Sequence, residues 1–190
     1  NTLGVFQLES GGMRQFLKEL RPDDFEEIIA GISLYRPGPM ESIPLYIKNK
    51  NNPDQIEYIH EKLRPILEVT NGILVYQEQV MQAARELGGY SYARADLVRK
   101  AMSKKKMDVM EEEREYFVNG KLDSEGNVEI SGCVRNGIPA SSANKIYDNM
   151  IDFAKYAFNK SHAACYAVLA YQTSYLKTHY KVEFMTALMT

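Results

Sequence analysis

The sequence predicts a mainly α fold. Apolar residues recur at helical spacing over most of the chain, proline and glycine clusters interrupt those runs, and strand-like alternation is nearly absent. With 190 residues, the chain can bury a real core as one domain or two small ones.

In chain order, Pro22 to Tyr35 carries Phe25, Ile28, Ile29 and Ile32 at helical spacing, with acidic residues in the first turn where the helix dipole favours them. Arg36-Pro37-Gly38-Pro39 ends that helix, because proline restricts its predecessor and cannot continue the ladder. Asn49 to Pro53 is a polar turn and Asn71-Gly72 another; Ile73-Leu74-Val75 is the best short strand candidate. Gln77 to Leu87 reads as a helix stopped by Gly88-Gly89. Ser91 caps the next, which turns Ala95, Val98 and Met102 inward. An acidic helix covers Met107 to Phe117, and Lys121 to Gly132 is rich in turn residues, fit for a small hairpin or an exposed loop. Pro139 opens a long helix with the stripe Ile146, Met150, Phe153 and Ala157, and a last long helix follows a Ser161 cap.

Composition excludes several classes. The longest apolar stretch, Ala163 to Tyr171, falls far short of the roughly 20 residues a bilayer crossing takes. No charged-then-apolar leader precedes a small-residue cleavage site. Cys133 and Cys165 form neither a zinc motif nor a disulfide framework, so a reducing cytoplasm is expected. The chain starts at Asn1 and stops at Thr190 inside an apolar run, which reads as a segment of a longer protein. The formal net charge of −2 is uninformative about nucleic acid; its distribution matters more.

Two segments could carry chemistry. Arg94 to Lys106 holds six cations against the single carboxylate of Asp96. On a helix Lys100 and Lys104 stand one turn apart, opposite Val98 and Met102, and offer charge to a triphosphate or a DNA backbone. A solvated face pairing with the acidic run from Asp108 to Glu115 accounts for the same pattern. Asn159-Lys160-Ser161-His162 places a lysine, a hydroxyl and an imidazole at a helix start, where open backbone N–H groups favour an anion. Taken alone, these residues fit a routine capped helix with a locally packed histidine better, because caps are far commoner than sites. Tyr76, Gln77 and Gln79 at a helix start, Arg36 in its stiff turn, and Lys105 are weaker candidates for template or DNA contact. No Asp-x-Asp pair is present to gather two metal ions, and the phosphate-loop, dinucleotide-loop, zinc-protease and serine-hydrolase motifs are absent. No catalytic residue and no metal ligand is therefore expected in this segment.

Six blocks in order complete the pattern: Gly4 to Ser10, Arg36 to Met40, Gly72 to Met81, Ala95 to Met102, Phe158 to Ala167, and Tyr171-Gln172-Thr173 through Glu183-Phe184-Met185. Together they resemble the alpha subunit of bacterial DNA polymerase III, over nearly the whole chain. The resemblance implies an irregular multi-helix fingers domain with at most a short strand or hairpin. Residues 1–35 would be its palm-proximal start and 36–190 its helical body.

It further implies a DNA-directed DNA polymerase that extends a primer by nucleotidyl transfer in chromosome replication. The parent would use Mg2+ held by a palm outside this segment, so that the segment alone is inactive. The implied partners are primer-template DNA, a deoxynucleoside triphosphate and other holoenzyme subunits, with no membrane. By the same resemblance Arg99 and Lys100 match a basic pair facing the nucleotide, and Asn159, Lys160, Ser161 and His162 match another nucleotide-facing element; Lys104 joins them from its helical spacing to Lys100. Lys100 stands where a second arginine is usual, Ser103 and Ala157 where glycine is common, and Lys181 where proline is common. A stand-alone helical protein-interaction module is the alternative from another class.

Overall fold

Local capping chemistry sets several of the helix starts. The structure, a computed structural model, describes residues 2–104, 106–154 and 156–190. It is mainly α, with one two-stranded antiparallel sheet among the described residues. The chain divides into two compact units, Asn1–Lys48 with Phe158–Thr190, and Asn49–Ala157.

In the first unit, α1 (Gly11–Leu20) begins where Ser10 Oγ accepts from Met13 N–H at 3.3 Å, and it buries Met13, Phe16 and Leu20 along one side. No helix is expected there from the sequence. Helix α2 (Phe25–Leu34) is capped reciprocally: Asp24 Oδ1 accepts from Glu27 N–H at 2.8 Å, and Glu27 Oε2 accepts from Asp23 N–H at 2.6 Å. Gly38 then takes φ 99°, a conformation side chains resist, and lets the chain turn into a 3-10 turn and α3 (Ile43–Asn51), which carries the boundary with the second unit.

Helix α10 (Lys160–His179) packs on α2 through Ala163, Ala167 and Ala170, small residues that let two backbones approach. The helix expected to run on from Ser161 breaks at Tyr180, and α11 (Lys181–Met189) continues in a new direction. Phe6 stacks on Tyr166 at 5.3 Å, and its N–H donates to Thr173 Oγ1, fixing the N-terminal segment along α10.

The second unit folds around one apolar cluster drawn from α4 (Arg64–Leu67), α5 (Gln77–Gly88), α6 (Tyr92–Ser103), α7 (Met107–Asn119), α8 (Gly132–Arg135) and α9 (Ala140–Ala154). Val80, Ala84 and Leu87 of α5 meet Val98 and Met102 of α6, Phe117 of α7, and Ile146, Tyr147 and Met150 of α9. The turn-rich stretch is the hairpin β1 (Lys121–Leu122) and β2 (Val128–Ile130), paired Lys121 with Ile130 and Leu122 with Val128 across a bulge. Ser91 caps α6 as expected, accepting from Arg94 N–H.

Two expected elements differ. Ile73-Leu74-Val75 forms no strand: the Val75 N–H donates to Gln79 Oε1 instead of to a neighbouring strand. The α9 stripe ends at Ala154, leaving Ala157 outside the helix.

Candidate functional site

The densest cationic arrangement of the second unit is set by helical spacing on α6. Asp96 precedes Arg99 by three residues and Lys100 by four, so all three side chains share one face. Asp96 Oδ1 accepts from Arg99 Nε at 3.0 Å and from Nη2 at 2.7 Å, while Oδ2 pairs with Lys100 Nζ at 2.6 Å. The hydrogen bonds from Lys100 and then Arg99 hold the Asp96 carboxyl below its ordinary range. From α5, Gln77 Oε1 accepts from Arg99 Nη1 at 3.1 Å, and Gln77 Nε2 donates to the Ala157 carbonyl at 3.3 Å. The Arg99 side chain is 19 % exposed, whereas that of Lys100 is 53 % exposed.

Not every predicted cation shares this role. Arg94 forks onto Glu113 at 2.7 and 3.3 Å and reaches Glu129 at 2.9 Å, tying α6 to α7 and the hairpin. Lys104 follows the last helical residue and caps α6, rather than standing on the helix one turn beyond Lys100. Lys105 lies outside the described residues. Gln79 is 4 % exposed and its amide is used inside the fold, donating to Ile66 O at 3.0 Å and Thr70 Oγ1 at 2.7 Å besides its two acceptor bonds. Tyr76 is buried as well. Both were candidates for template contact; burial places them in the core instead.

In the first unit the structure brings Arg36 together with the start of α10. The Arg36 guanidinium lies 4.2 Å over the Phe158 ring, and its Nε donates to Ser33 O at 2.8 Å. Burial lowers the Arg36 pKa from its ordinary value. Phe158 meets His162 edge-on at 5.4 Å, and His162 lies 4.4 Å from Tyr166, ring centre to ring centre. Arg36, Phe158, His162 and Tyr166, with Phe6 and Gln7, line an open cavity of about 510 Å³.

The cap of α10 is Asn159, not Ser161: Asn159 Oδ1 accepts from His162 N–H at 2.9 Å, and the helix begins one residue later. One backbone donor expected to face an anion is thus already engaged. Ser161 and His162 are exposed, and Lys160 Nζ lies 2.9 Å from Glu26 Oε2 of α2.

The sequence does not show the organising role of three residues, Asp96, Glu26 and Phe158. For Asp96 the signal was present, a lone acid three and four residues ahead of two cations. Glu26 and Phe158 act across tertiary contacts that no spacing reports. Among the described residues no three His, Cys, Asp or Glu side chains gather to hold a metal ion, and no helix is long and apolar enough to cross a membrane.

Residues 1–125 match the family model described as the bacterial DNA polymerase III alpha subunit finger domain. The chain is 50 % identical over 187 residues to the DNA polymerase III subunit alpha of Halalkalibacterium halodurans, covering 98 % of this chain and 16 % of that protein. It is 50 % identical over 194 residues to the subunit of the same name from Thermus aquaticus, covering 100 % of this chain and 15 % of that one. With the Bacillus subtilis subunit it shares 47 % identity over 190 residues, 100 % of this chain and 16 % of the relative.

The chain belongs to that family. It spans about one sixth of the length of the curated relatives it matches. Membership in the bacterial DNA polymerase III alpha finger-domain family sets aside the stand-alone interaction module.

Ser103, Lys181 and Lys100 each have a local role in the fold. Ser103 Oγ donates to Arg99 O at 3.0 Å and closes the last turn of α6. Lys181 opens α11 at the first helical position, where proline is also favoured. Lys100 shares its carboxylate with Arg99, a point-charge role that does not need the planar fork of an arginine.

Proposed function

We propose that this chain is the nucleotide- and template-handling part of a DNA-directed DNA polymerase, a cytoplasmic enzyme that extends a primer by nucleotidyl transfer during chromosome replication. The observation that carries the proposal is the Arg99 guanidinium, held by Asp96 and Gln77 through three of its five N–H groups. Two donors remain among the described residues, on a group oriented before any ligand arrives. Arg99, Lys100 and Lys104 neutralise phosphate charge, and Asn159, Lys160, Ser161 and His162 orient the triphosphate. A proton on Lys160 or His162 assists the departing pyrophosphate. Arg36 and Lys105 stand nearer the template in this assignment, with residues 1–35 as the palm-proximal start and 36–190 as the helical body.

The chemistry of the carboxylates speaks to where magnesium belongs. Asp96 is committed to Arg99 and Lys100, and Glu113 to Arg94, so these acids do not fit a two-ion centre. The ions are assigned to the palm of the parent. Primer-template DNA, deoxynucleoside triphosphates and other holoenzyme subunits are the proposed partners.

Single-nucleotide incorporation by full-length polymerase carrying Arg99→Ala tests the proposal. The variant is expected to raise KM for the nucleotide by about tenfold, as loss of one charge-assisted phosphate contact requires. An unchanged KM and kcat would overturn the assignment.

A further inference from the structure

We propose that Gln77 is a positioning residue for nucleotide selection, acting through Arg99 rather than touching nucleotide or template itself. The inference rests on the assignment of Arg99 to phosphate.

An arginine paired with an acid three residues earlier is ordinary on a helix surface, and Asp96 alone would need no further account. Gln77 is different. It comes from another helix, and both ends of its amide are engaged: Oε1 accepts from Arg99 Nη1 at 3.1 Å, and Nε2 donates to Ala157 O at 3.3 Å. The backbone carbonyl fixes which way the amide points, so the oxygen rather than the NH2 group faces the guanidinium. A reversed amide would set donor against donor.

Asp96 meanwhile holds Nε and Nη2 through one oxygen. Bonds on opposite flanks of a planar group restrict its rotation, which one acid on the same helix cannot do alone. Among the described residues Lys100 is held only by Asp96, and it is the more exposed of the two cations. Pre-orientation therefore falls mainly on Arg99. A cation already placed loses less freedom when phosphate binds, so the effect should appear as tighter nucleotide binding.

Gln77 sits in the first turn of α5 and is half-exposed, so its replacement need not disturb the core. Gln77→Met keeps length and removes both hydrogen bonds. The experiment measures single-turnover incorporation by full-length polymerase on primer-template, with the concentration of one deoxynucleoside triphosphate varied. It compares wild type, Gln77→Met, Arg99→Ala and the double variant, with thermal unfolding followed alongside.

The expected result is a rise of about threefold to tenfold in apparent Kd for the nucleotide in Gln77→Met. The maximal rate should change little, and the double variant should be no worse than Arg99→Ala. Additive losses in the double variant would show Gln77 acting on its own and overturn the inference while leaving Arg99 on phosphate. So would an unaffected Gln77→Met beside an impaired Arg99→Ala. An unaffected Arg99→Ala would instead remove the assignment on which the inference rests.

Discussion

Lys160 Nζ lies 2.9 Å from Glu26 Oε2, so the first residue of α10 is tied to the first turn of α2 by an ion pair. The two side chains are 34 % and 43 % exposed, which makes the pair worth less than about 1 kcal/mol to the fold. Its larger consequence concerns what Lys160 can reach. Lys160→Ala is expected to raise KM for nucleotide about tenfold in the full-length enzyme. Glu26→Gln removes a competing carboxylate and should leave KM unchanged or lower it. A raised KM in Glu26→Gln would show that the pair positions Lys160 instead of competing for it.

His162 is exposed and lies between the Phe158 and Tyr166 rings. If its proton assists the leaving group, His162→Ala should slow single-turnover incorporation by about a hundredfold, at the lower end for general acid catalysis. An unchanged rate would make His162 a packing residue of the aromatic wall.

Arg94 and Arg99 lie five residues apart on α6 but serve different ends. Arg94→Ala would strand Glu113, a buried carboxylate that receives both prongs of its fork. Urea unfolding of the 190-residue chain should show a loss of about 2–3 kcal/mol, somewhat below the range for a fully buried pair. Arg99→Ala should cost less than about 1 kcal/mol, because Asp96 retains Lys100 and access to water. The reverse ranking would exchange the structural and functional roles.

These two arginines also mark what the sequence could and could not disclose. Periodicity located α5, α6, α7, α9 and α10, because each hides one face and has a capping or stopping residue in the chain itself. It missed α1, whose stripe of Met13, Phe16 and Leu20 is short and preceded by glycines. It also misread 73–75 as a strand, because local apolar character cannot show that a glutamine four residues on will take the backbone donors.

In the candidate site, residue type and spacing identified the cations on α6 and at the start of α10. Spacing could not separate Arg94 from Arg99, since their partners arrive from α7, the hairpin and α5. Nor could it show Gln77 and Gln79, two residues apart on one helix, facing a guanidinium and the core respectively.

The two cysteines give a chemical check on the fold. Cys133 is fully buried, and burial pushes its thiol up to about 12; Cys165 is exposed. Iodoacetamide at pH 8 should therefore modify Cys165 and spare Cys133 in the native chain, with both reacting in urea. The sign for stability follows from proton binding. Between the ordinary thiol value near 9 and the raised value near 12, the folded state keeps a proton that the unfolded state has lost. Folding stability should thus decline as pH rises through that window, by up to about 1.4 kcal/mol per pH unit. It should be unaffected by Cys133 below it. Equal labelling of both cysteines in the native chain would contradict the burial.

Gln79 offers the most direct separation of structure from function among the residues first assigned to DNA. Its amide accepts from the N–H groups of Val75 and Tyr76 and donates to Ile66 O and Thr70 Oγ1, all within buried surroundings. Truncation would leave two buried backbone donors without that partner and open space beside Ile66. Gln79→Ala is expected to cost about 2–3 kcal/mol, read by urea unfolding of the 190-residue chain. Gln79→Glu should also destabilise at neutral pH, because a carboxylate cannot donate to Ile66 O or Thr70 Oγ1 and would carry a buried charge. Amide exchange at Val75 and Tyr76 should accelerate in both variants, reporting the loss at its source. A template-contact role predicts the opposite pattern: stability and exchange as in wild type, with weaker primer-template binding by the full-length enzyme.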